Sequence, residues 1–298
     1  MKSHSPFYPS KVMLLGEYSV LTGSEGLAVP VDRYGGYWCE TEDGASMQAM
    51  SGWLDHLTEL AGRGIMQLNL EALRADIAGG VRFCSSIPRG CGLGSSGALT
   101  AAVLERYGKV PADLIESRRI LAAMESFFHG KSSGLDPLVS LYKRPVLTGR
   151  HLQLVDPNIW LQFASADRIF LWDCGRERNT KPLVQYFMRS MEDAAFSSAV
   201  HSILMPAVDS GIQGILKNEP DIFERSWRVI SEFQLKHLSK MIPSSMLDNW
   251  REGLRKDHYF FKLCGAGGGG MFLVYVPPGT SLSGAQAAGF MPLLAPSD

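Results

Sequence analysis

Nine glycines fall in two short stretches of this 298-residue chain, and their spacing points to chemistry before anything else does. Gly90, Gly92, Gly94 and Gly97 form the first; Gly265 and Gly267 to Gly270 form the second. Glycine is tolerated where the backbone takes positive φ or must approach another group closely. An isolated pair reads as a tight turn, but four or five within eight residues points further. The first cluster opens an alanine- and leucine-rich helix, GALTAAVLERYG. Backbone N–H groups at such a helix start make an anion site, most often for phosphate.

Phosphoryl transfer from a nucleotide needs a phosphate cradle, a held Mg²⁺, a positioned acceptor hydroxyl and a nearby cation. Each has a candidate. Ser95 and Ser96 begin the loop helix, where a hydroxyl either caps the helix or reaches Mg²⁺. Glu125 lies among Met124, Phe127 and Phe128, so it is either surface-facing or partly buried and held by a cation or metal. Asp136, followed by Pro137, is either a helix cap or a site carboxylate. Lys11 opens an apolar strand, as a snorkelling surface lysine or as the cation of the site.

Other phosphate motifs are excluded by context. GLGSSG (Gly92 to Gly97) fits G-x-G-x-x-G, but a dinucleotide fold needs a second strand with an acidic residue after the loop helix. Here another helix follows, from Asp113 to His129. GAGGGG (Gly265 to Gly270) leads into a strand, MFLVYV, and the chain contains no GxxxxGK[ST] loop and no HRD or DFG set.

The elements that must hold these residues follow from periodicity. KVMLLGEYSV is an apolar run broken at Gly16, and GLAVPV and YGGYWCETE are two further strand candidates. Ser51–Ala61 and Leu70–Ile77 have helical spacing, and VRFCSSIP is a strand ended by Pro88. Asp113 with Glu116 three residues on forms a capping-box pattern. Beyond about Gly149 come the strand RIFLWDCG, long helices over 181–201, 205–217 and 222–240, and a strand–loop–strand unit from Phe260 to Gly279. The chain divides near residue 150 into two closely packed lobes, 1–150 and 151–298.

Composition narrows the class. The 31 glycines exceed the roughly 21 that average usage would give. With 29 basic and 30 acidic side chains, the net charge of -1 argues against a broad nucleic-acid surface. Cys39, Cys84, Cys91, Cys174 and Cys264 are scattered without a C-x-x-C pair, which suits reduced thiols in a cytoplasmic protein. No secretory signal, membrane-length apolar run or HExxH spacing is visible, so no membrane partner and no protein-ligated transition metal are expected.

Taken together, the motifs resemble the GHMP small-molecule kinases. KVMLLGEYSVLTGSEGLAVPV (Lys11 to Val31) is similar to the family's first motif, PRGCGLGSSGAL (Pro88 to Leu99) to its ATP-phosphate loop, and KLCGAGGGGMFLVY (Lys262 to Tyr275) to its third. ESFFHGKSSGLD (Glu125 to Asp136) and RNTK (Arg178 to Lys181) resemble segments of the mevalonate kinases within that family. The resemblance implies an α+β, two-lobed fold with a left-handed β-α-β unit in the N-terminal lobe, a ferredoxin-like C-terminal lobe and a site between them. It implies ATP and Mg²⁺ as cofactors and a small-molecule acceptor, mevalonate or its relative phosphomevalonate, with the oligomeric state open between monomer and homodimer.

By residue, the resemblance gives Asp136 and Lys11 the catalytic roles, and Ser96 and Glu125 the metal. Pro88, Gly90, Gly92, Leu93, Gly94, Ser95, Ser96 and Gly97 would wrap the phosphates, while Gly265, Gly267, Gly268 and Gly269 support that loop. Glu17, Tyr18 and Thr180 would flank the substrate. The sequence departs from the family pattern at Ser10 (usually Gly), Tyr18 (often His), Gly97 (often Ala), Ser132 (usually Pro) and Pro137 (usually Asn). A phosphate-bearing acceptor would call for extra cations, for which Lys143, Arg144, Arg150, Arg176 and Arg178 are candidates.

Overall fold

The computed structural model describes residues 6–40, 47–164, 168–176, 180–281 and 289–294, with the side chains of 47–49 and 180–181 outside that description. Two compact units emerge: residues 1–11, 30–88 and 94–144 form the first, and 12–29, 89–93 and 145–298 form the second.

The chain opens with β1 (Tyr8–Leu15) and β2 (Gly26–Glu40). The two strand candidates of the sequence thus merge into one 15-residue strand. In the first unit β2 is followed by α1 (Met47–Gly62), α2 (Leu70–Ala78) and β3 (Val81–Ser85), and β3 returns antiparallel to β2 from Gly36↔Ser85 to Glu40↔Val81. This pairing corrects the expectation of five thiols. Cys39 and Cys84 form a disulfide with Cα atoms 6.0 Å apart. Cys39 lies opposite Arg82 and Cys84 opposite Tyr37, so the cysteines are diagonal neighbours, a relation visible only once the register is known. Cys91, Cys174 and Cys264 are thiols.

The helices that carry the site are α3 (Ser95–Tyr107), α4 (Leu114–His129) and α5 (Leu135–Tyr142). Ala98, Ala101, Ala102, Val103 and Leu104 of α3 are buried, and small side chains on that face let a neighbouring helix come close. Asp113 caps α4 by accepting from the Glu116 N–H at 2.8 Å, whereas the Glu116 carboxylate turns away to Arg119. The capping box is therefore half formed. Leu138 and Val139 of α5 are fully buried, each contributing about 1.5–3 kcal/mol.

In the second unit the start of β2 pairs with β4 (Val146–Thr148), which pairs with β5 (Gln153–Leu154). Then follow α6 (Pro157–Ala164), β6 (Ile169–Asp173), α7 (Thr180–Ser190), α8 (Ala194–Ala199), a π-helical turn over Val200–Leu204, and α9 (Met205–Leu216). They are succeeded by α10 (Pro220–His237), α11 (Ser244–Lys256), β7 (Phe260–Leu263), β8 (Met271–Tyr275) and β9 (Phe290–Pro292). The last strands and β6 make an antiparallel sheet in the order β7-β8-β6-β9. Strand β8 reads as a continuous apolar run and is buried throughout, and Trp227 and Trp250 are fully buried with their indole N–H groups donated to Phe260 O and Ser231 Oγ. No helix among the described residues is long and apolar enough to cross a membrane.

Candidate active site

In the first unit, Lys11 and Asp136 meet in an ion pair, Nζ to Oδ1 at 2.6 Å. Lys11 is 8% exposed on β1, so it is no snorkelling surface residue. Asp136 is not the cap of α5 either: Gly134 holds that position with φ 71°, and Asp136 is the second helical residue. An acidic group in a first turn is stabilised by the helix dipole. Its side chain is 31% exposed, which leaves it reachable.

The phosphate-loop helix comes up against this aspartate. Gly94, in the left-handed region at φ 77°, precedes α3 and contributes no capping side chain, so Ser95 and Ser96 are the first helical residues and not caps. A Cβ at residue 97 would lie 2.8 Å from the Asp136 carbonyl carbon and from the Asp136 Cβ. Glycine at 97 is thus what permits the contact.

Glu125, on the last turn but one of α4, is 3% exposed. Ser96 Oγ donates to its Oε1 at 3.0 Å and Ser132 Oγ to its Oε2 at 2.5 Å. Ser96 Oγ also lies 2.9 Å from His129 Nε2. Burial, and secondarily the charge of Asp136, push the Glu125 carboxyl up to about 7, while the two serine hydroxyls and Lys11 pull the other way. Glu125 and Ser96 together offer a buried carboxylate and a hydroxyl, the oxygen ligands that a hard cation takes. His129 and Ser132 escaped the sequence reading. The first stands four residues after Glu125, one turn on along the same helix face, a spacing that could have flagged it; the second showed only as a departure from the family pattern.

The second unit holds the remaining predicted residues. Glu17, 7% exposed, forms a buried ion pair with Lys262 of β7, whose Nζ also donates to Leu263 O at 2.8 Å and stands 5.5 Å above the Trp227 ring. Desolvation pushes the Glu17 carboxyl upward, and Lys262 opposes that shift. Tyr18, at φ 62°, stacks on Phe187 with ring centres 4.7 Å apart, and its hydroxyl donates to Ala266 O at 2.6 Å. Two of the three side chains expected to flank the substrate, Glu17 and Tyr18, therefore engage the third motif or its surroundings. Thr180 opens α7; its side chain, and Arg178 and Asn179, lie outside the described residues.

The third-motif glycines form a knot of backbone contacts. Gly268 N donates to Met241 O at 2.7 Å and Gly270 N to Arg176 O at 2.6 Å. A Cβ on Gly270, at φ 68°, would stand 2.8 Å from Cys91 O, so only glycine allows the strand to pass the 89–93 segment, which contains Gly90, Gly92 and the buried Leu93. Gly265, Gly267 and Gly269 complete that turn, and Pro88 ends the stretch after β3. Of the extra cations, Arg150 is engaged by Glu25 at 3.3 Å and Asp209 at 2.6 Å, and Lys143 stands 5.1 Å above the Tyr8 ring.

Comparison with known proteins defines the class. Residues 59–144 match the family model described as GHMP kinases N terminal domain, and the chain as a whole has the α+β fold of solved mevalonate kinase structures. Among particular relatives, it is 29% identical to a mevalonate kinase of Arabidopsis thaliana over 219 residues, 66% of this chain. That alignment spans 56% of the relative's length. The mevalonate kinase of Methanococcus jannaschii superposes with a TM-score of 0.64 at 20% identity, covering 94% of this chain and 92% of that one. A phosphomevalonate kinase of Streptococcus pneumoniae, in complex with phosphomevalonate and AMPPNP, gives 0.59 at 16% identity, covering 91% and 92%.

Proposed function

We propose that this chain is an ATP-dependent kinase that phosphorylates the primary hydroxyl of mevalonate, giving 5-phosphomevalonate and ADP. The observation that carries the reading is the Lys11–Asp136 pair beside the Gly94–Gly97 helix start. A carboxylate held by a lysine, next to a phosphate cradle, is what orienting and deprotonating an acceptor hydroxyl requires. In that reaction the acceptor oxygen bonds to the γ-phosphorus as the bond to the β-phosphate oxygen breaks, and the hydroxyl proton passes to Asp136. Lys11, paired with Asp136, offsets charge on the transferred group. Backbone N–H groups from Gly90 to Gly97 bind the phosphates.

The oxygen-only set at Glu125 and Ser96 suits a hard divalent cation such as Mg²⁺, which takes few protein ligands and completes its shell with phosphates and water. These two residues would hold it, and when bound it supplies neutralisation of the nucleotide phosphates. The proposal keeps the division into lobes at 1–150 and 151–298 and a cytoplasmic setting. Mevalonate is favoured over a phosphorylated acceptor because the relative with 29% identity is a mevalonate kinase and because Arg150 and Lys143 already have protein partners.

An ADP-release assay with mevalonate, phosphomevalonate, homoserine and galactose side by side tests this. Turnover is expected with mevalonate. Turnover with phosphomevalonate alone would transfer the assignment to the phosphorylated acceptor, and no turnover with any would leave a nucleotide-binding sensor.

A further inference from the structure

The Glu125 carboxylate has two oxygens, and a different serine takes each. Ser96, on the phosphate-loop helix, donates to Oε1. Ser132, in the turn between α4 and α5, donates to Oε2. The direction at Ser132 is settled by its other contact: the Gly134 N–H donates to Ser132 Oγ at 2.9 Å, so the single hydroxyl proton goes to Glu125. Ser96 has a more divided position, with Glu125 on one side and His129 on the other.

The turn that carries Ser132 is itself anchored. Arg118 Nε donates to Ser133 O at 2.7 Å, and a Cβ on Gly134 would come 2.4 Å from Arg118 O, so this turn lies directly on α4. Gly134 is the cap of α5, two residues before Asp136. Ser132 therefore ties the carboxylate at the end of α4 to the start of the helix that carries Asp136. Glutamate has three rotatable side-chain bonds, and a buried one with no aimed donor has several directions open to it.

We infer that Ser132 is a positioning residue: it aims the Glu125 carboxylate at the nucleotide-bound metal. The inference rests on the reading of Glu125 as a metal ligand. Partners that orient a ligand from behind typically change metal affinity by about 10–100-fold when removed. The hydrogen bonds of Ser132 named above run to Glu125 and Gly134, so its removal is expected to act mainly through the metal.

The test compares binding of AMPPNP by calorimetry with 5 mM Mg²⁺ and with EDTA, on the full chain, in wild type, Ser132→Ala, Ser132→Thr and Glu125→Gln. The ratio of the two dissociation constants is the gain in affinity due to metal. Ser132→Ala is expected to cut that gain about 10-fold, with the EDTA value within about twofold of wild type. Ser132→Thr should restore the gain, since it keeps the hydroxyl, and Glu125→Gln should abolish it. If Glu125→Gln abolishes the gain while Ser132→Ala keeps it, the positioning role is overturned and the metal reading stands. A gain retained in Glu125→Gln overturns both. Equal weakening with and without metal in Ser132→Ala, unrelieved by Thr, would show a general structural role and overturn the inference.

Discussion

Each unit of the molecule contains a lysine paired with a carboxylate, and the two pairs differ in almost every respect but chemistry. Lys262 and Glu17 have side chains 0% and 3% exposed, and Lys262 gives a further bond to its own strand's neighbour, Leu263 O. Lys11 and Asp136 are 10% and 31% exposed, on a strand and at the open first turn of a helix. A sealed pair is held away from water, and its attraction mostly offsets the cost of taking two charges out of water. The pair with a reachable carboxylate can exchange a proton with something that enters. Residue type does not separate the two pairs; exposure of the acid does.

The comparison is broken or sharpened most strongly at Asp136. Asp136→Asn is expected to lower turnover by about 10²–10⁴-fold, with a smaller loss in urea unfolding than Glu17→Gln because its carboxylate is partly exposed; a normal rate would remove Asp136 from the chemistry. The sealed pair should behave the opposite way. Glu17→Gln strands a buried ammonium, with an expected loss of about 3–5 kcal/mol in unfolding free energy, and the double change Glu17→Met/Lys262→Met should recover most of it. Failure of the double variant to recover would mean that the pair does more than satisfy itself.

A smaller effect concerns Glu125 in metal-free protein. Its folded carboxyl keeps a proton up to about 7, against an ordinary value of 4.5. Between those values the folded state binds more protons than the unfolded one, so stability falls as pH rises, by roughly 2–3 kcal/mol from this group. Unfolding in EDTA at pH 5 and pH 8 should show a shallower decline for Glu125→Gln than for wild type, and identical declines would argue against the burial effect. The smallest change is expected from Tyr18→Phe, which removes the bond to Ala266 O at a cost of about 1 kcal/mol. A tenfold rise in acceptor KM with unchanged stability would make Tyr18 a substrate contact instead of a brace.

How far the sequence carried the reading differs by residue. The glycine loops and the helix after them were legible because backbone conformation and helix starts leave local marks. Lys11, Ser96, Glu125 and Asp136 were only ambiguous from local pattern, each with an ordinary explanation, and resemblance ordered them. What local pattern hides is partnership across long separations. Glu17 and Lys262 are 245 residues apart, and the Cys39–Cys84 bond depends on a strand register that no periodicity encodes. Ser132 was visible as a substitution, but its meaning required the Glu125 oxygen it faces. The Asp136–Pro137 dipeptide misled in an instructive way, because Gly134 starts the helix two residues earlier in a conformation only glycine takes readily.

The absence of a side chain at Gly97 has a mechanical side. Where two helices meet through side chains, rotamer changes absorb part of any displacement. Here the backbone of α3 stands against the backbone of Asp136 and Pro137 with no room for even a methyl group between them. Interiors packed to that density transmit displacement instead of damping it. The start of α3 and the start of α5 are therefore packed as one block, so a displacement of one is expected to carry the other.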